Sequence, residues 1–117
     1  MVNLIKLMRL NGAVSAAECK PDGEYMCHIT KDVTIVDRDN MSEQFCKINS
    51  LMIETMERLD RVNKLNWSPF HGWMVTAGDY SVFVVNQVIL IAETNKADFN
   101  EILGTLNAEA SMALKAA

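Results

Sequence analysis

The sequence predicts an α+β domain of order α-β-β-α-β-β-β-α, in which a five-stranded antiparallel sheet carries one long helix on one face and two terminal helices on the other. Three observations lead there. A long amphipathic stretch begins near Asn40 and is followed by three short apolar runs separated by the turn pairs Gly78-Asp79 and Asn86-Gln87. Two of those runs, "VFVV" and "VILIA", are apolar at consecutive positions, so the strands they form must be covered on both faces. With 117 residues there is room for one core and not for two ordinary domains.

The first element is a short helix over residues 2–10, with Leu4, Leu7 and Met8 at helical spacing and Asn11-Gly12 as the stop. A hairpin follows, "AVSAAEC" and "EYMCHIT" around "KPDG", where Pro21 presets the turn and Gly23 is free to take positive φ. A turn centred on Asp22 sets Cys19 opposite Tyr25 and puts Cys27 diagonal to Cys19 on the same face, with His28 on the other. Residues 31–39 are expected to extend the second strand and then loop. Asp32, Asp37 and Asp39 invite a calcium reading, but the twelve-residue loop with central Gly and terminal Glu is absent, so no metal is expected.

The long helix is expected to start at a capping box, Asn40 with Glu43. At about 100° per residue, Leu51, Val62, Ile48, Met41, Leu59, Met52, Phe45 and Met56 share one broad arc, opposed by Glu43, Lys47, Glu54, Glu57, Arg58 and Arg61. Cys46 and Ile53 fall beyond the edge of the arc. The apolar surface is thus wider than a single sheet contact needs, and the helix either sits deep in its own core or shares itself with a neighbour. The last helix is expected to be capped by Asn95 with Asp98 and to bury Phe99, Ile102, Leu103, Leu106, Ala110 and Ala113.

Composition closes off several kinds of function. Half of the residues are apolar and 22% charged, as in an ordinary globular protein, and the net charge of -4 with scattered Lys and Arg argues against nucleic acid as a partner. No apolar run is long enough to span a bilayer, and "MVNLIKLMRLNG" lacks the layout of a signal peptide, so a cytoplasmic protein with no membrane partner is expected. Three cysteines, an odd count without CxxC, disfavour both a disulfide framework and a zinc site; reduced core residues are expected.

Catalytic groups do not assemble either. His71 could act as a base or ligand, but no nucleophile or orienting carboxylate stands at a motif spacing, and a strand-edge or dimer-contact role is expected. Cys27 and His28 are adjacent, so on a strand they point to opposite faces. Phosphate-cradling loops are missing, no cofactor is expected, and the eight methionines read mainly as packing. The run "NWSPFHGW" reads as an interface, because a free strand edge carrying Trp67, Phe70 and Trp73 would be an aggregation hazard, while pairing with a second copy removes the edge. Pro69 withholds one backbone donor just ahead of that strand.

The opening "LIKLMRLNG", the "PDG" hairpin, and the segments "SPFHGW", "GDYSV" and "ETNKADF" resemble a family of short uncharacterised prokaryotic proteins that in turn resemble roadblock/dynein-light-chain domains. The resemblance covers almost the whole chain and implies the roadblock/profilin-like fold. It also implies a homodimer in which the long helix pairs with its mate and the third strand joins two sheets edge to edge. On that basis Trp67, Phe70, His71, Trp73, Met74, Thr76, Cys46, Ile53 and Met56 are the expected interface residues. A non-enzymatic adaptor or regulator that binds a protein, such as a small GTPase or an enzyme complex, is the expected function. A small-molecule-binding sensory domain, or an accessory of a sulfur or redox system using Cys19 or Cys27, are the alternatives.

Overall fold

A computed structural model of the chain describes residues 2–20, 22–30, 38–63 and 71–116. Along it run α1 (Leu4–Met8), β1 (Ala13–Cys19), β2 (Tyr25–Thr30), α2 (Arg38–Asn63), β3 (Gly72–Thr76), β4 (Tyr80–Val85), β5 (Val88–Glu93) and α3 (Phe99–Ala116). The strands form one antiparallel sheet in the order β2-β1-β5-β4-β3. Chain neighbours pair as hairpins, and β1 meets β5 in the middle.

The consecutive apolar residues of β4 and β5 divide between two cores, as the period of two along a strand requires. Phe83, Val85, Val88, Leu90 and Ala92 join Leu4, Leu7, Ile102, Leu106 and Ala110 under α1 and α3. Val82, Val84, Ile89 and Ile91 join Cys19 and Cys46 under α2. Strand β1 would lose this alternation but for a register shift between Ala13 and Ser15, which lets Ala13 and Ala16 enter the same core.

Turn chemistry fixes the strand ends. At the first hairpin Gly23 has φ +93°, its amide donates to the Lys20 carbonyl at 3.1 Å, and the Asp22 carboxylate accepts from the Glu24 amide at 3.0 Å. Asn86 takes φ 53° in the turn from β4 to β5. The Ala77 amide closes the β3–β4 connection on the Tyr80 carbonyl at 3.1 Å without a positive φ at Gly78, so the mirror-image turn that a leading glycine suggests is not used.

Several sequence-based expectations need correction. Helix α2 already includes Arg38, so Asn40 and Glu43 lie inside it instead of forming its capping box, and Glu43 pairs with Lys47 at 3.1 Å. Arg38 and Asp39 are therefore helical, not loop. Asp98 alone caps α3: its Oδ1 accepts from the Glu101 amide at 3.2 Å, whereas Asn95 stays in the preceding turn. A second register shift, between Glu18 and Cys19, keeps Cys19 opposite Tyr25 but sets Cys27 opposite Glu18 and His28 opposite Ala17, in place of the regular register expected.

The largest correction concerns the cysteines. Cys19 and Cys46 are joined by a disulfide between β1 and α2, with Cα atoms 5.5 Å apart. An odd cysteine count argues against a framework that uses every thiol; it does not forbid one pair. The fold makes the pair by tucking the first hairpin against α2, where a Cβ on Gly23 would stand 3.4 Å from both the Lys47 Cα and the Ser50 Cβ.

Candidate functional site

Helix α2 is amphipathic, but its orientation is not the one its apolar arc suggests. Cys46 (1% exposed) and Asn49 (1%) point into the sheet, and Ile53 one turn further on is half-buried. The edge of the arc farthest from the sheet faces solvent instead: Leu51 is 62% exposed and Val62 79%, and Ile48 and Leu59, nearer the arc's centre, are exposed as well. Met52, Met56 and Phe45 are half-buried on the flank between these two sides.

That flank leans toward β3. Asn49 reaches β3 through Trp73, whereas Lys47 and Ser50, on the other side of Cys46, touch the first hairpin near β2. At about 100° per residue, Asn49, Met56, Phe45, Met52, Leu59, Ile48, Val62 and Leu51 follow in that order around the helix on Asn49's side, with Thr55 and Gln44 set among them near Val62. An apolar strip therefore runs from the helix–sheet contact, over the β3 side, to the outer surface. Glu43, Lys47, Glu54 and Arg58 occupy the remaining side and are tied in the pairs Glu43–Lys47 and Glu54–Arg58.

Strand β3 is an edge strand, paired to β4 from Gly72↔Val85 to Thr76↔Ser81. The His71 carbonyl accepts from the Asn86 amide at 2.6 Å and the Ala77 amide donates to the Tyr80 carbonyl at 3.1 Å. In an antiparallel ladder this parity carries along the strand, so residues 73 and 75 bond to β4 while the amides and carbonyls of Gly72, Met74 and Thr76 point to the open edge. Val75, on the α2 side of the sheet, and Met74, on the opposite side, are both exposed. Gly72 is required by close approach: a Cβ there would overlap the Val84 carbonyl oxygen.

The expected interface residues divide accordingly. Met74 and Thr76 lie exposed on the open edge, and His71 is exposed at its start. Met56 is on the half-buried flank of α2, and Ile53, also half-buried, is on its sheet-facing row. Cys46 is turned inward and bonded to Cys19, which removes it from any outer contact. Trp73 is likewise engaged by its own chain: half-buried against the α2-side core, its indole N–H donates to Asn49 Oδ1 at 2.9 Å. Trp67, Phe70 and Pro69 lie outside the described residues, as do Pro21, Asp32 and Asp37.

Sequence reasoning missed Asn49. Its Nδ2 donates to the Asn86 carbonyl at 2.8 Å while its Oδ1 holds Trp73, so one buried amide ties α2 to β3 and to the β4–β5 turn. A polar residue three after Cys46 and four before Ile53 was the available signal, since it marks the sheet-facing row. Replacing Asn49 with alanine leaves two polar groups without their partner, and a loss of about 1 to 3 kcal/mol in urea unfolding is expected. A loss below about 0.5 kcal/mol would show that the bridge is dispensable.

Beside β3, an open groove of about 290 Å³ is lined by His71, Gly72, Met74, Val85, Leu103 and Asn107 among others. Among the described residues no three His, Cys, Asp or Glu side chains cluster as a metal site, and no helix is long and apolar enough to cross a membrane.

A sheet with one long helix on one face and two terminal helices on the other is the roadblock/LC7 fold, and solved structures of that class superpose on this chain. A roadblock/LC7 domain from Streptomyces avermitilis matches with TM-score 0.70 at 11% identity, over 93% of this chain and 88% of that one. The gliding protein MglB from Thermus thermophilus matches with TM-score 0.66 at 14% identity, over 94% and 78%. An MglB structure described as having a tetrameric arrangement gives 0.67 at 14% identity, over 97% and 80%. At such identities the likeness establishes the fold. Residues 3–108 match the family described as uncharacterized conserved protein (DUF2173), and the chain belongs to that family. No curated protein matches its sequence significantly.

Proposed function

We propose that the chain is a non-enzymatic homodimer of roadblock type that serves as an adaptor or regulator for a protein partner, such as a small GTPase or an enzyme complex. The observation that carries this reading is the continuity of the apolar strip on α2 with the open edge of β3. Exposed apolar residues scattered singly need no explanation, but Ile48, Leu51, Leu59 and Val62 on one helix side do. A second copy covers them by packing its own α2 against this one. In the same step the outward amides of Met74 and Thr76 pair with β3 of the second copy, which removes the edge. The joined sheet then offers its outer surfaces to the partner. Support comes from the roadblock fold and from the tetrameric arrangement described for one MglB structure.

The role of β3 is tested by proline at its outward positions. Met74→Pro removes a donor that β4 does not use, so the fold is expected to persist while self-association weakens by about tenfold or more. Hydrogen exchange read at rising protein concentration checks this: protection at Met74 and Thr76 should grow with concentration in the unmodified chain, and protection at Thr76, the outward amide that remains, should stay flat in the variant. Equal protection at all concentrations would remove β3 from the seam.

A further inference from the structure

Among the described residues, few side chains of helix α2 are fully buried against the sheet. Among its described residues only Cys46 and Asn49 are fully buried. Among the described residues the core beneath it has six buried members, and two of them are the bridging cysteines. Phe45, Trp73 and Tyr80 add partial cover, and Asn49 adds its two hydrogen bonds. Cys19 and Cys46 are 27 residues apart, so their bond closes a loop that contains the first hairpin turn, β2 and the start of α2. Closing such a loop limits how far α2 can depart from the sheet in any partly open state.

We infer that the Cys19–Cys46 bond is a redox-controlled latch on α2. Oxidised, it fixes the helix on the sheet with its apolar outer side presented; reduced, it lets the helix lift and weakens what that side binds. A low-molecular-weight disulfide, RSSR, is the oxidant. One cysteine thiolate attacks it, forming a mixed disulfide and releasing RS⁻. The second thiolate attacks the protein sulfur of that mixed disulfide, forming the Cys19–Cys46 bond and releasing the second RS⁻. The two protons given up by the cysteines end on two RSH, and excess RSH reverses the sequence. Because both residues are buried, exchange requires α2 to open first, and its rate reports that opening. Cys27 stands opposite Glu18 in the strand register, outside the latch, and serves as an internal control.

The effect on association rests on the dimer proposed above; the effect on α2 does not. The full chain, equilibrated in oxidised or reduced glutathione, is denatured and alkylated to count thiols, and in parallel its hydrogen exchange and sedimentation are recorded. The expected result is alkylation of Cys27 alone in the oxidised chain and of all three cysteines in the reduced one. Exchange across α2 should be faster in the reduced chain by about tenfold or more, with association weakened alongside it. Cys27→Ser keeps this response, and the double variant C19S/C46S stays at the reduced value in both buffers. The unmodified chain carries the comparison even if the double variant does not fold. Three alkylated cysteines after oxidation, a bridge to Cys27, or α2 exchange indifferent to redox state overturns the latch. A redox response in α2 exchange from a chain that is monomeric in both buffers upholds the latch on α2 and removes the dimer.

Discussion

Leu51→Glu is expected to convert the proposed dimer to monomer while leaving the fold intact. Leu51 is 62% exposed in the single chain, so a glutamate there stays in water and stability should change by no more than about 0.5 kcal/mol. In a dimer closed through the outer side of α2, the same carboxylate would be drawn out of water, while the nearby Lys47 and Arg58 are already paired with Glu43 and Glu54. That costs about 3 kcal/mol or more, which weakens association about a hundredfold or more. Light scattering behind a sizing column checks the mass, and the thermal midpoint checks the fold. A variant that associates as tightly as the parent would place the contact elsewhere.

The second large effect belongs to the monomer. Phe83 is fully buried on β4, beside the central strand β5, and meets Phe99 edge to face, with ring centroids 5.1 Å apart and planes at 81°. Truncation to alanine empties the space between β4 and α3, where Leu106 and Ile102 also pack. A loss of about 3 to 5 kcal/mol is expected in urea unfolding, a large share of the total for a domain of this size. A loss below about 1 kcal/mol would mean that this core is not packed as described. Because Phe83 lies on the side away from α2, partially folded Phe83→Ala protein should still respond to oxidation of Cys19 and Cys46.

The sheet was legible in the sequence because its signals are local. "VFVV" and "VILIA" can only be strands covered twice, and Asn86-Gln87 and Pro21-Asp22-Gly23 punctuate them. The orientation of α2 was not legible, because the helix carries more apolar residues than one sheet face can bury. Its largest arc therefore looked like the inward side, although the residues that enter the sheet are the small Cys46 and the polar Asn49. The disulfide was hidden for a different reason. It depends on a hairpin folding back onto a helix, a contact that no spacing of cysteines encodes. At the candidate interface, the sequence identified β3 as an exposed edge but assigned Trp73 outward, since nothing in a linear reading links its indole to Asn49. Leu51, Val62 and Val75, the most exposed apolar residues of α2 and β3, were absent from the expected interface because each fits a core pattern.

Sedimentation equilibrium of the unmodified chain, under oxidising conditions and across the micromolar range, tests the central claim most directly. A mass of twice the chain, falling toward one chain on dilution, is the predicted result. A single-chain mass at every concentration, with α2 and the edge of β3 exposed throughout, would contradict it.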